Sequence, residues 1–481
     1  MSARTAAAPQ HRALPIAGER RATQEAAPVL NPYDGTVVAT IGVGSAADMD
    51  DAIAAAVRAF REFRRWPRYK RKAVLLEVAA RLRDRRDEFV DLMIAESGKP
   101  RIYSGIEVDR AVTTFTLAAE ECTRFGGELL PLDLAPATEG YTAIVGRFPV
   151  GVVGAIAPFN FPLNLVAHKL APAIAVGNCV VLKPPPQAPL SALLLADVCY
   201  EAGMPVDALS VIHCPVEVAE KLATDERIAL LSFTGSAAVG WHLKSIAGKK
   251  RVVLELGGNA AAVVAADADL LWAAKRCALG SFAQAGQVCI KVQRIFVERS
   301  VFDEFSALYR NETADLRTGD PRLADTIVGP MIDSRSADRV SAWLDEAVRA
   351  GATLIAGGGR QGNMLQPTIL GGTTSAMKVE AEEVFGPIST IAPVASAEDG
   401  FARANETRYG LQAGVFTFDV RTIAKAFDEL EVGGVIINDY PTLRVDNFPY
   451  GGVKDSGFGR EGVRYAMEEM TEYKTLVVKY R

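Results

Sequence analysis

Histidine and cysteine are both scarce in this chain: four histidines in 481 residues, and six cysteines at 122, 179, 199, 214, 277 and 289. No two cysteines form a C-x-x-C pair, so neither a metal site nor a disulfide framework is expected. An excess of one charge is missing too. Lys and Arg number 53 against 58 Asp and Glu, a net charge of −5, which leaves no electrostatic footprint for nucleic acid. No apolar run approaches the roughly 18 residues of a membrane span. The first 27 residues carry Arg4, His11, Arg12, Glu19, Arg20 and Arg21 without the apolar stretch of a secretory signal. A cytoplasmic protein with no membrane or nucleic-acid partner is the expectation.

What is present has the balance of a compact globular chain, 49% hydrophobic and 23% charged. At about 150 residues per domain, the length suggests about three domains or two large ones. Residues 1–27 read as a loosely held arm, with order beginning near Leu14. Ser45 is placed to cap a helix whose Met49, Ile53, Val57 and Phe60 recur at helical spacing, and helices dominate to about Gly127.

From Pro149 the pattern changes. Short apolar runs, Val152–Ala157, Cys179–Leu182, Leu209–Ile212 and Ile228–Phe233, alternate with helical stretches such as Leu165–Ile174 and Ser191–Glu201. Such alternation predicts parallel crossovers and a doubly wound α/β sheet, whose ligands sit at the carboxyl ends of the strands. A second alternating series runs from Val252–Leu256 to Val435–Asn438 and predicts a second α/β domain.

Four segments stand at strand ends, where chemistry is expected, and a fifth follows a glycine turn. Phe233–Gly240 follows a strand and opens a helix, a place for a pyrophosphate or simply a strand-to-helix turn. Lys183 before Pro184, Pro185 and Pro186 holds a cation at a rigid corner, for a cofactor ribose or phosphate or for solvent alone. Asn160, fixed between Pro158 and Pro162, is either an oxyanion donor or a turn asparagine bonding its own backbone. Glu255 precedes Gly257-Gly258 in an apolar strand, a desolvated general base unless it faces water from an edge. Cys289 follows the Gly286 turn and is a nucleophile or a packed thiol.

Together and in this order, these segments resemble the aldehyde dehydrogenase superfamily. Glu383-Val384-Phe385-Gly386-Pro387 and Pro449–Gly457 complete the match, which runs from about Leu14 to the C-terminus. The resemblance implies a Rossmann-type cofactor domain (14–127 and 146–250), an α/β catalytic domain (251–445) and a small β oligomerisation arm (128–145 and 470–481) of a homodimer or homotetramer. It implies Cys289 as nucleophile, Glu255 as base and Asn160 as oxyanion donor, with hydride transfer to NAD or NADP and a thioester that water releases as the acid. Ile156, Pro158, Lys183, Gly235, Ser236, Glu255, Leu256, Glu383 and Phe385 become the implied cofactor contacts. A CoA-acylating relative, or a non-catalytic scaffold of the same fold, are the alternatives.

The chain also departs from the common pattern. Pro186 stands where many members place a ribose-gripping glutamate, leaving NAD and NADP both open. His213-Cys214 replaces a usual Asn or Thr-Gly segment beside the adenine site. Near the catalytic motifs, Arg110, Phe161, Lys291 and Arg444 suggest a small polar or anionic aldehyde, since the Pro449 loop resembles those of members acting on lactaldehyde-like and phosphate- or phosphonate-bearing substrates. Lys291, two residues past Cys289 in a segment read as extended, would share its face and either recognise the anion or favour the thiolate.

Overall fold

The computed structural model of the chain describes residues 10–480. Structure starts earlier than the sequence pattern suggests. His11–Arg12 pairs in parallel with Val37–Val43, and Leu14–Ile16 pairs with Glu19–Arg21. Leu14 and Ile16 are fully buried, and Ala17 N–H donates to Ser210 Oγ at 3.1 Å. The expected loose arm is therefore corrected from His11 onward, because two apolar side chains dock against the main body; residues 1–9 lie outside the described residues. The capped helix is present as Ala46–Phe63, with Ser45 and Asp48 exchanging bonds in a capping box. Among the described residues no helix is long and apolar enough to cross a membrane.

The first sheet contains β1 (Val152–Ile156), β2 (Cys179–Lys183), β3 (Leu209–Val211), β4 (Ile228–Thr234) and β5 (Arg251–Glu255). They lie in the order β3-β2-β1-β4-β5, all parallel, with Gly457–Phe458 added antiparallel at the β5 edge. The strand order reverses between β1 and β4, the switch point where open α/β sheets bind ligands. Three helices matter for the site: α1 (Arg101–Arg124), α2 (Asn164–Val176) and α3 (Ala237–Ile246). Every residue of α2 is buried, as a helix covered on all sides must be.

The second sheet is built from β6 (Ala261–Val264), β7 (Arg294–Glu298), β8 (Thr353–Ala356), β9 (Thr368–Gly371), β10 (Ile388–Val394), β11 (Gln412–Phe416) and β12 (Gly434–Ile437). Its order is β8-β9-β10-β7-β6-β11-β12, parallel except for β8. The sequence pattern opens the second series at Val252–Leu256, and the pairing corrects this. Arg251–Glu255 registers against Leu230–Thr234 in the first sheet, so the carboxylate at its end belongs to that sheet. Apolar spacing alone cannot say which of two sheets a strand joins.

Glu128–Pro131, Tyr141–Pro149 and Thr471–Lys479 form a separate antiparallel sheet. Leu129, Ile144, Leu476 and Val477 stay exposed on it. Asn178 ties this sheet's root to the body: its Oδ1 accepts from Gly151 N–H and its Nδ2 donates to the Met470 carbonyl, both at 2.9 Å. Asn178 is fully buried, so Asn178→Ala orphans both partners. The substitution should lower the unfolding free energy by about 1–3 kcal/mol per orphaned group, read from denaturant titration; an unchanged midpoint would remove Asn178 as a tether.

Candidate active site

A cleft of roughly 410 Å³ opens at the switch point. The turn after β1 supplies Pro158 and Asn160, and the turn after β4 supplies Gly235 and Ser236 at the N-terminus of α3. The end of β5 supplies Glu255 and Leu256, and the second unit adds Cys289, Glu383, Phe385 and Arg444. These ten predicted positions converge on one cavity. Ile156, Phe161, Lys183, Arg110 and Lys291 are not among its lining residues.

Cys289 is approached by an unusual path. After the helix Leu270–Phe282, three successive residues take left-handed φ values, Gln284 at 54°, Ala285 at 55° and Gly286 at 65°. Only glycine adopts this region without steric cost. The half-buried Cys289 then places Sγ 3.1 Å from Tyr450 Oη. Burial pushes the thiol up to about 11, with the Tyr450 hydroxyl opposing the rise. Asn160 Nδ2 donates to the Gln287 carbonyl at 3.0 Å, which uses one of its two N–H groups and leaves the other for a ligand.

Glu255 is 3% exposed and neither carboxylate oxygen has a hydrogen-bond partner. Desolvation first, and then the neighbouring Glu461, push its pKa well above the usual carboxylate range. Glu461 behaves in the opposite way. Lys169 Nζ at 3.1 Å and Arg444 at 3.0 Å hold it down at about 2. Arg444 also lies 3.9 Å from the Tyr450 ring centre and 3.8 Å from Asp446, which takes Arg110 in a two-pronged pair at 2.6 and 3.2 Å. His168 Nε2 lies 2.8 Å from the same carboxylate, while burial lowers the imidazole pKa.

On the opposite wall Glu383 accepts from Gly258 N–H at 3.0 Å, and burial raises it to about 7. A Cβ at Gly257 would stand 2.2 Å from that carboxylate, so only glycine permits the approach. Phe385 packs edge-on against Phe159 with ring centres 5.8 Å apart. Lys183 and Ile156 sit side by side at the carboxyl edge of β2 and β1. Burial lowers the Lys183 pKa and that of nearby His213, whose Nδ1 is buried without a partner.

Three expectations about substrate contacts change. Lys291 is 3% exposed and donates to the Ile388 carbonyl; burial lowers its ammonium to about 7. Val288–Lys291 is a turn closed by Lys291 N–H to Val288 O at 3.1 Å, not an extended segment, so Lys291 does not share the face of Cys289. It neither reaches the cleft nor stands among the groups that shift the thiol. Arg110 is engaged by Asp446, and its guanidinium lies 5.8 Å from the Phe161 ring centre. Phe161 packs against the cluster of Val288, Ile290, Leu411 and Tyr450 that Cys289 also joins.

The Aldehyde dehydrogenase family model matches residues 20–476. The chain belongs to the aldehyde dehydrogenase family. It is 44% identical over 466 residues to 3-sulfolactaldehyde dehydrogenase of Priestia aryabhattai, covering 97% of each chain. Aldehyde dehydrogenase 21 from Physcomitrella patens, solved with the reaction product succinate, superposes with a TM-score of 0.96 at 42% identity and 98% coverage of both chains. Glyceraldehyde-3-phosphate dehydrogenase GapN from Methanocaldococcus jannaschii, complexed with NADP, gives 0.91 at 37% identity, covering 95% of this chain and 100% of that one.

Lys169, Glu461 and Asp446 escaped the sequence reading of this aldehyde dehydrogenase. Their signal lay in α2, where His168-Lys169 interrupts an otherwise apolar helix; buried charge in such a helix needs partners. In the ligand-free enzyme a thiol near 11 predicts that alkylation of Cys289 by iodoacetamide rises about tenfold per pH unit through the neutral range. Tyr450→Phe, which removes the opposing hydroxyl, should slow it at every pH. A plateau below about pH 8 would show a thiolate already formed and contradict the geometry.

Proposed function

We propose that this aldehyde dehydrogenase oxidises a small aldehyde carrying an anionic group to its carboxylic acid, with NAD or NADP as acceptor. The observation that carries the reading is the convergence of Cys289, Asn160 and Glu255 on one cleft whose wall holds a buried charge cluster. In that cluster three cations, Lys169, Arg110 and Arg444, face two paired carboxylates, Glu461 and Asp446. With Glu255 and His168 neutral, the surplus is positive, and Arg444 presents it to the cleft. An anionic substrate neutralises that surplus. The likeness to an enzyme named for 3-sulfolactaldehyde, and to one solved with succinate, points the same way.

The reaction follows from the residues. The Cys289 thiol gives up its proton to water, the thiolate sulfur attacks the aldehyde carbon, and the resulting oxyanion accepts from the free Asn160 N–H and the Cys289 backbone N–H. Gly235 and Ser236 at the α3 N-terminus, with Pro158, Leu256, Glu383 and Phe385, line the cleft and, with Ile156 and Lys183 paired at the adjoining strand ends, would hold the dinucleotide. A bound nicotinamide dinucleotide supplies the two-electron acceptor. Glu255, whose pKa burial and Glu461 raise well above the usual carboxylate range, then acts in its ionised form: it takes a proton from the water that attacks the Cys289 thioester, and the acid leaves. Exposed Pro186 carries no charge against a 2′-phosphate, so NADP is accepted as well as NAD.

The antiparallel arm, with its exposed apolar side chains, is the surface through which subunits pair as a homodimer or homotetramer. Six unpaired thiols suit a reducing cytoplasm.

One assay tests the reading: purified wild type and Cys289→Ala, with sulfonated, phosphorylated and neutral aldehydes of equal length, each cofactor, and CoA present or absent. Wild type should form reduced cofactor without CoA and favour anionic aldehydes by about tenfold or more in kcat/KM, and Cys289→Ala should be silent. A requirement for CoA would make it an acylating enzyme, and equal use of neutral aldehydes would remove the anion. NAD favoured over NADP by more than about a thousandfold, roughly 4 kcal/mol, would overturn the cofactor reading.

A further inference from the structure

The main-chain carbonyl of Asn160 accepts two side-chain donors, Gln284 Nε2 at 2.6 Å and Lys99 Nζ at 3.0 Å. In the reverse direction the Asn160 amide donates to Gln287 O at 3.0 Å. The turn after β1 and the turn carrying Cys289, which come from different sheets, are thus bonded both ways. Gln284 reaches Asn160 from the first of the left-handed positions before the nucleophile, a conformation that is strained outside glycine.

Lys99 is 1% exposed and pairs with Glu107, which is fully buried. The other Glu107 oxygen accepts from Leu163 N–H and Asn164 N–H, both at 2.9 Å, at the start of α2. The ammonium also stands 3.6 Å from the Phe161 ring centre. One ion pair therefore grips the Asn160 turn at both of its ends. A buried ion pair adds little net stability, and neither Lys99 nor Gln284 lines the cleft. Both features make sense if what they secure is the placement of one amide, since misplacing a reacting group by about 1 Å costs on the order of a hundredfold in rate.

We infer that Gln284 and the Lys99–Glu107 pair are positioning residues for the oxyanion: they clamp the Asn160 carbonyl so that its free side-chain N–H points at the carbonyl attacked by Cys289. This rests on the role proposed for Asn160 and is separable from it. The test is the single-turnover rate of reduced-cofactor formation, enzyme in excess over aldehyde, for Gln284→Met in the wild-type and Asn160→Ala backgrounds.

Gln284→Met should slow the step about 10–100-fold, with aldehyde KM within about twofold of wild type, somewhat below the cost of losing an oxyanion donor outright. In the Asn160→Ala background it should change nothing further, because the amide it orients is gone. Equal slowing in both backgrounds would mean a merely structural role and overturn the inference. If Asn160→Ala slows the step and Gln284→Met does not, the clamp alone falls; if Asn160→Ala changes nothing, the role of Asn160 falls and the clamp with it. Lys99→Met combined with Glu107→Gln, removing both charges together, is read by the same criteria and decides the matter if Gln284→Met does not melt cooperatively.

Discussion

Two carboxylates, Glu255 and Glu461, are buried within each other's field, and the cations available to them are shared unequally. Lys169 and Arg444 both pair with Glu461, while Glu255 has no hydrogen-bond partner. Two such groups cannot both ionise cheaply away from water, so their titrations separate: Glu461 stays charged and Glu255 holds its proton until late. The rest of the site is arranged around this division. β5 delivers Glu255 to the carboxyl edge of the first sheet, while α2 supplies Lys169 and the segment leading to Pro449 supplies Arg444, both within its field.

At rest the reacting groups are uncharged. The Cys289 thiol is held up by burial and the Glu255 carboxyl by burial and its neighbour, whereas fixed charge stands beside them in Arg444 on the cleft wall, with Glu461, Asp446, Arg110 and Lys169 linked to it. A dry, neutral centre surrounded by fixed charges strengthens each interaction that forms as charge develops. The two sheets are cross-bonded at the turns that carry Asn160 and Cys289 and again on the opposite wall, where Glu383 accepts from Gly258 N–H.

Much of this was legible in the sequence because strand-end motifs are local. Pro158–Pro162 and Gly235-Ser236 each fix a turn at the carboxyl end of a parallel strand, where it faces the ligand, and Gly286–Cys289 fixes the turn between the helix Leu270–Phe282 and β7. What was not legible depended on partners far away in the chain. Arg251–Glu255 has the same apolar look in either sheet, and only pairing with Leu230–Thr234 assigns it. Lys291 was misplaced because a turn was read as extended, which reverses where its side chain goes. Arg110 has a partner 336 residues away, a separation no spacing argument spans. Lys99 and Lys169 lay in plain view as charges in buried surroundings, yet their burial is a property of the packed structure.

The central claim is that Glu255 serves the second half of the reaction, after Cys289 has become acylated. It is tested most directly by mass spectrometry of Glu255→Gln, mixed with cofactor and an anionic aldehyde and quenched in acid during turnover. The account predicts an acyl adduct accumulating on the peptide that contains Cys289, with wild type showing little, because deacylation slows by about two to four orders of magnitude when a general base is lost. An unmodified Cys289 peptide in the variant, or an adduct on another cysteine, would contradict it.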